Sequence, residues 1–145
     1  MVQVVAAVLQ SEGKILVGQR TPEQSHPLKW EFPGGKIEKG ETPEAALARE
    51  LQEELSATLE KCVELGRTRH KYATMSEELE IRFYAASIKE GTIAPNEFEQ
   101  IVWALPKELG NYDFLAANSQ LVAQLATGRL KPREILEHGT NSPPK

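Results

Sequence analysis

The sequence predicts an α/β protein, and three stretches carry that prediction. Residues 42–55 have the spacing of an amphipathic helix, with Leu47, Leu51 and Leu55 recurring every four positions to make one apolar stripe. Residues 78–88 alternate, with Leu79, Ile81, Phe83 and Ala85 on one side and Glu80, Arg82 and Tyr84 on the other, which is strand periodicity. Residues 2–9 are rich in β-branched side chains and read as a buried strand.

A chain of 145 residues suits one domain with a real core. Apolar residues make up 40% and charged residues 26%, the balance of an ordinary soluble protein. The net charge of −4 and the lack of a basic tract argue against duplex nucleic acid as a partner, because that needs a positive footprint. An anionic nucleotide can still bind where metal ions supply local positive charge. Cys62 is the only cysteine, so no intrachain disulfide and no zinc cluster is expected, and the thiol fits a reducing compartment. Residues 1–9 are apolar but carry no basic flank or cleavage motif, and no run reaches membrane-spanning length. The expectation is a cytoplasmic protein without a membrane partner.

In chain order, Ser11-Glu12-Gly13-Lys14 reads as a hairpin turn and residues 15–19 as the returning strand. Residues 21–29 form a loop with Pro22, His26 and Pro27, and residues 30–32 a short extended stretch. Pro33, Gly34 and Gly35 allow close approach of a backbone. Thr42 and Pro43 look like the N-cap and first position of the helix, followed by good helix formers at 45–48. Residues 58–70 read as extended and residues 71–75 as a connection. Residues 90–99 are a loop holding Glu97 and Glu99, residues 100–104 a short strand, and residues 105–109 the start of a short helix. The last helix is expected over about residues 117–127, with Leu121, Val122 and Leu125 inward and Asn118 as an N-cap or first-turn residue. Residues 129–145, with Pro132, Pro143 and Pro144, read as a mobile tail in which residues 133–138 have room for one helical turn.

Glu50, Glu53 and Glu54 stand at i, i+3 and i+4 on a second face of the helix expected over residues 42–55. Like charges at that spacing repel one another, and a helix that needed only solubility would interleave lysines. A solvated acidic face is the ordinary reading of such a run. The alternative is a divalent cation, since Mg²⁺ and Mn²⁺ prefer oxygen ligands.

The surroundings favour the cation. Gly35, five residues, Glu41, seven residues and then Arg49-Glu50-Leu51-Gln52-Glu53-Glu54 resembles the signature of the Nudix family over 23 residues, 35–57. Ser56 departs from the pattern, which usually has glycine there; a side chain at that point bears on how the helix stops but removes no charged ligand. The resemblance, which spans about residues 2–127, implies one domain over residues 1–128. Its fold would be an α/β/α sandwich around a mixed sheet. Its chemistry would be hydrolysis of nucleoside diphosphates linked to another group, with Mg²⁺ (or Mn²⁺ in its place) as cofactor. Cations held by these carboxylates relieve the repulsion between a phosphoanhydride and incoming hydroxide and lower the pKa of bound water.

By position, the resemblance makes Glu50, Glu53 and Glu54 metal ligands or activators of water. It makes the Gly34 carbonyl a further ligand and Arg49 the partner of Glu41, fixing the helix against the preceding loop. The MutT-type branch is the nearest resemblance. Ten residues separate Arg20 from Glu31-Phe32-Pro33-Gly34-Gly35, and Glu97 lies six positions past Gly91 and six before Trp103. Asn118 lies fifteen past Trp103, in a Phe-x-x-Ala-Asn segment. In that branch the loop glutamate completes the metal site, which selects Glu97 over Glu99. Arg20, Glu31, Phe32, Leu79 and Asn118 become substrate-binding candidates, although core packing is the ordinary role of Leu79, as it is of Tyr72. Asparagine in the position of Asn118 reads oxidised guanine in this branch. Ordinary guanine offers acceptors at N7 and O6, whereas the 8-oxo form carries hydrogen on N7, a donor beside an acceptor that one amide complements.

The implied activity is therefore pyrophosphohydrolysis of 8-oxo-dGTP. Two alternatives stand beside it: a preference for CTP and 5-substituted dCTP, or a non-catalytic module that binds a damaged base. The expected partner is a nucleoside triphosphate, with no nucleic-acid polymer and with a monomer or homodimer as the working unit.

Overall fold

The computed structural model describes residues 1–138. Seven strands make one sheet: β1 (Val2–Ser11), β2 (Lys14–Gln19), β3 (Trp30–Glu31), β4 (Gly34–Lys36), β5 (Leu59–His70), β6 (Leu79–Ile88) and β7 (Gln100–Ala104). Their spatial order is β3-β2-β1-β6-β5, with β4 also paired to β1 and β7 to β2. β1 runs parallel to β6, from Val2 opposite Leu79 to Leu9 opposite Ala86, and the other pairings between these seven strands are antiparallel, so the sheet is mixed. The β1–β2 hairpin turns through Glu12 and Gly13, both with positive φ (52° and 78°), the backbone that matches the twist of a two-residue turn.

The helix α1 (Pro43–Leu55) covers one face of the sheet. The Thr42 side chain accepts from the Ala45 N–H, and Pro43 occupies the first helical position, where a missing N–H costs nothing. Ala46, Leu47, Leu51 and Leu55 are fully buried against Val5, Ala7, Leu9 and Leu16 of the sheet. Each of the three leucines contributes on the order of 1.5–3 kcal/mol by leaving water. Ser56 ends the helix in the left-handed conformation (φ 57°, ψ 33°), so serine adopts at this point the backbone that glycine reaches without steric cost.

The opposite face packs against a second core built from Val8, Ile15, Val17, Trp30, Phe32, Phe83, Leu121 and Leu125. It is covered by two 3₁₀ turns (Pro106–Asn111 and Ala116–Asn118), by α2 (Ser119–Ala126) and by α3 (Pro132–His138). Helices on both faces of a mixed sheet make the α/β/α sandwich. The alternating strand 79–88 is buried on both sides: Tyr84 joins the α1 core with its hydroxyl donating to Glu44 (3.0 Å), and Glu80 is buried beside Arg69.

The tail expected from residue 129 differs in its first part. Pro132 is buried, and Leu130, Ile135 and Leu136 pack onto the second core, so α3 is part of the body. Three apolar residues among prolines and charges are enough to dock two turns of helix. Residues 139–145 of that tail lie outside the described residues. Among the described residues no helix is long and apolar enough to cross a membrane.

Candidate active site

The sheet, the 33–36 segment and α1 meet in one place. Gly35 of β4 pairs with Val5 of β1 and lies so near α1 that a Cβ on it would collide with the Glu50 carboxylate. One residue earlier, the Gly34 N–H donates to Glu54 Oε1 at 2.7 Å. These contacts tie the glycine strand directly to the acidic face of the helix, which is the physical use of the two small residues.

Arg49 organises the other side. Its Nε and Nη2 donate to the two oxygens of Glu41 (2.7 and 3.0 Å), its Nη2 also reaches the Lys36 carbonyl (3.0 Å), and its Nη1 donates to Glu50 (2.8 Å). Glu53 lies at 3.4 Å from the same Nη1. The fork holds the 36–41 loop against the helix as only a planar guanidinium can. These bonds and the Glu38 N–H push Glu41 down to about 2. We expect Arg49→Ala to lower the melting temperature and to cut turnover about 10- to 100-fold, as loss of an outer partner does at a metal site. Arg49→Lys is expected to recover little, since it keeps the charge but not the fork. Unaltered turnover in both variants would show that the clamp does not serve the site.

The carboxylates form a gradient of exposure. Glu53 is 52% exposed and Glu50 15%. Glu54 is more deeply enclosed, and burial, reinforced by the charges of Glu31, Glu50 and Glu97, pushes it up to about 9 against the Gly34 hydrogen bond. Burial also raises Glu50, against the pull of Arg49, and raises Glu31, against the pull of Arg20. Glu97, an exposed residue of the 89–99 loop, is near enough for its charge to act on both Glu50 and Glu54. Among the described residues no three acidic, histidine or cysteine side chains converge into an ion-holding group as they stand. The reason is visible: Glu50 is drawn to Arg49, Glu54 to the Gly34 N–H, and Glu53 is half exposed. The donor set nevertheless fits a hard divalent cation, because it is all oxygen and its crowded negative charge is relieved by one.

A cleft of about 410 Å³ opens beside this cluster, bringing Arg20, Glu31, Phe32, Gly34, Gly35, Glu54, Leu79 and Asn118 together. Glu50, Glu53, Glu97 and Arg49 lie outside its lining. Arg20 is not a free cation: it donates to both oxygens of Glu31 (3.1 and 3.2 Å) and to the carbonyl and hydroxyl of Ser25 (2.7 and 3.0 Å). Phe32 divides its role, lining the cleft while its ring stacks on Phe114 and meets Phe83 edge-on. Leu79 likewise lines the cleft and packs on the core.

Asn118 is only 4% exposed and makes no capping hydrogen bond, although it sits at the N-terminus of α2. Its backbone is held instead: its N–H donates to the Leu115 carbonyl (2.9 Å), and the neighbouring Ala117 N–H donates to the Tyr72 hydroxyl (3.0 Å). Tyr72 in turn packs between His26 and His70, with ring centroids 4.5 and 4.3 Å away. Sequence reasoning assigns Tyr72 core packing as its ordinary role with a base contact as the alternative, and His26 a solvated loop position with a phosphate or ribose contact as the alternative; both line the cleft. It missed Ser25, Thr74 and Leu115 in the cleft wall, for which no local pattern gives a signal.

The NUDIX domain family model matches residues 1–125. The chain is 33% identical to the CTP pyrophosphohydrolase of Escherichia coli K12, over 84% of this chain and 89% of that protein. It is 32% identical to the 8-oxo-dGTP diphosphatase of Haemophilus influenzae, over 86% and 91%. The solution structure of the MutT protein of methicillin-resistant Staphylococcus aureus 252 superposes with a TM-score of 0.69 at 33% identity, covering 88% of this chain and 96% of that one. Nudix hydrolases generally use divalent metal ions, in keeping with the oxygen-rich cluster. The chain belongs to the Nudix hydrolase family, and it is an enzyme that hydrolyses phosphoanhydride bonds of nucleotides.

Proposed function

We propose that the protein is a MutT-type pyrophosphohydrolase that converts 8-oxo-dGTP to 8-oxo-dGMP and pyrophosphate with Mg²⁺, in the cytoplasm, and so keeps oxidised guanine out of DNA. The observation that carries the reading is Asn118: a buried amide, unused as a cap, in the same cleft as Glu54 and Gly34. A base seated against Asn118 finds a donor and an acceptor side by side, the pattern that 8-oxoguanine complements and guanine does not. Its phosphates then extend toward the Glu54 end of the cleft.

The residues divide the remaining work. Glu50, Glu53, Glu54, Glu97 and the Gly34 carbonyl are the oxygens that would hold the metal, and Arg49 keeps Glu50 and the 36–41 loop in place. Bound Mg²⁺ supplies charge neutralisation and acidifies water at the phosphoanhydride, with Mn²⁺ able to substitute. A carboxylate of this cluster takes the proton from water as it attacks the β-phosphorus, and the bond from that phosphorus to the oxygen bridging it to the α-phosphate breaks, so that the nucleoside monophosphate leaves and the attacked half departs as pyrophosphate. Arg20, held by Glu31 and Ser25, lies in the cleft wall as a forked donor for phosphate or base.

A second reading is pyrophosphohydrolysis of CTP and 5-substituted dCTP, favoured by the likeness to the Escherichia coli enzyme. The two share the metal cluster and differ in the base pocket. A binding-only module is disfavoured by the presence of all three helix glutamates. We expect the products of any accepted triphosphate to be the monophosphate and pyrophosphate, formed only with a divalent metal. Release of the diphosphate and orthophosphate, resolved by ion-exchange chromatography, would contradict attack at the β-phosphorus.

A further inference from the structure

The last carbonyls of α1 are an accounting problem, because a helix leaves four of them without partners inside itself. Of the four, the Gln52 carbonyl accepts from the Ser56 N–H of the helix's own cap (3.0 Å). The other three are met by one loop. The Ala94 N–H donates to Leu55 (2.9 Å), the Asn96 N–H to Glu54 (3.0 Å), and Asn96 Nδ2 to Glu53 (3.3 Å). The same Nδ2 donates to the Ser56 hydroxyl at 2.9 Å. The loop is therefore fastened to the end of the acidic helix by main chain and side chain together, and the residue that follows Asn96 is Glu97.

We propose that Asn96, through its bonds to Ser56 and to the Glu53 and Glu54 carbonyls, is a positioning residue that holds Glu97 toward the carboxylates of α1. The inference rests on the reading of Glu97 as a metal ligand. Serine at position 56 takes a left-handed backbone that costs nothing for glycine, yet its hydroxyl gives Asn96 an acceptor that glycine lacks. The amide uses its two N–H donors on both sides of the helix end, spanning the last turn and its cap.

The test is titration of Mn²⁺ alone into the full chain, with free Mn²⁺ read by electron paramagnetic resonance, for wild type, Asn96→Ala, Glu97→Gln and the double variant. Asn96→Ala is expected to weaken Mn²⁺ binding about tenfold, the usual effect of losing a partner that orients a ligand. Glu97→Gln weakens it at least as much, and the double variant is no weaker than Glu97→Gln, since Asn96 acts through Glu97. Ser56→Ala, which removes only the hydroxyl, shows a smaller loss that also vanishes in the Glu97→Gln background. Unchanged Mn²⁺ affinity in Asn96→Ala and Ser56→Ala, or losses that multiply in the double variant, overturns the proposal while leaving Glu97 a ligand. Unchanged affinity in Glu97→Gln overturns the reading of Glu97 and the proposal with it.

Discussion

Replacing Glu54 by glutamine is expected to reduce turnover by about 10²- to 10⁴-fold, the range seen when a group acting on the proton of a reaction is lost, without weakening the metal-free fold. Glutamine keeps an oxygen to accept the 2.7 Å bond from the Gly34 N–H. It removes a charge that burial and the carboxylates of Glu31, Glu50 and Glu97 make costly to form, as the rise of Glu54 to about 9 records. The variant is thus expected to melt at or above the temperature of the wild type in the absence of metal. Added Mg²⁺ should then separate the two. A ligand at 100 times its dissociation constant stabilises the state that binds it by about 2.7 kcal/mol, and the wild type should gain such a shift while Glu54→Gln gains little. Equal thermal shifts with Mg²⁺, or turnover near that of the wild type, would remove Glu54 from the metal site.

Asn118→Ala is the second large effect. The amide is buried, so its removal leaves the donor and acceptor of a bound 8-oxoguanine facing an apolar wall, a loss of about 1–3 kcal/mol. Guanine, which already presents one mismatched acceptor, should lose less. Calorimetry with 8-oxo-dGMP and dGMP reads this difference directly. Because Asn118 makes no capping hydrogen bond, the helix behind it should be unaffected and the melting temperature nearly unchanged. Equal losses for the two nucleotides would mean that the amide fills space and does not read the base.

The parts of the site that were legible in the sequence are those whose physics is local. Thr42, Pro43 and the leucine stripe announce α1, because capping and burial act within a few turns. The approach of Arg49 to Glu41 follows from the spacing of the family signature, whereas the bond from the Gly34 N–H to Glu54 has no signal in that spacing. What was not legible depends on contacts between distant segments. β4 is two glycines and a lysine, residues with weak strand preference, and it is a strand because β1 pairs with it. The parallel union of β1 and β6 leaves no mark on either strand alone. The support of the Asn118 turn by Tyr72 joins residues 45 positions apart. Leu130, Ile135 and Leu136 look sparse among prolines and charges, and only the second core shows them to be enough to dock α3.

Selection of an oxidised purine by Asn118, ahead of the metal cluster, is the expectation on which the proposed activity rests. It is tested most directly by kcat/KM with Mg²⁺ for 8-oxo-dGTP, dGTP, CTP and 5-methyl-dCTP, measured side by side with products resolved. Strong preference for 8-oxo-dGTP, with pyrophosphate released, is the predicted result. Preference for the pyrimidine nucleotides would leave the Nudix chemistry standing and contradict the base reading.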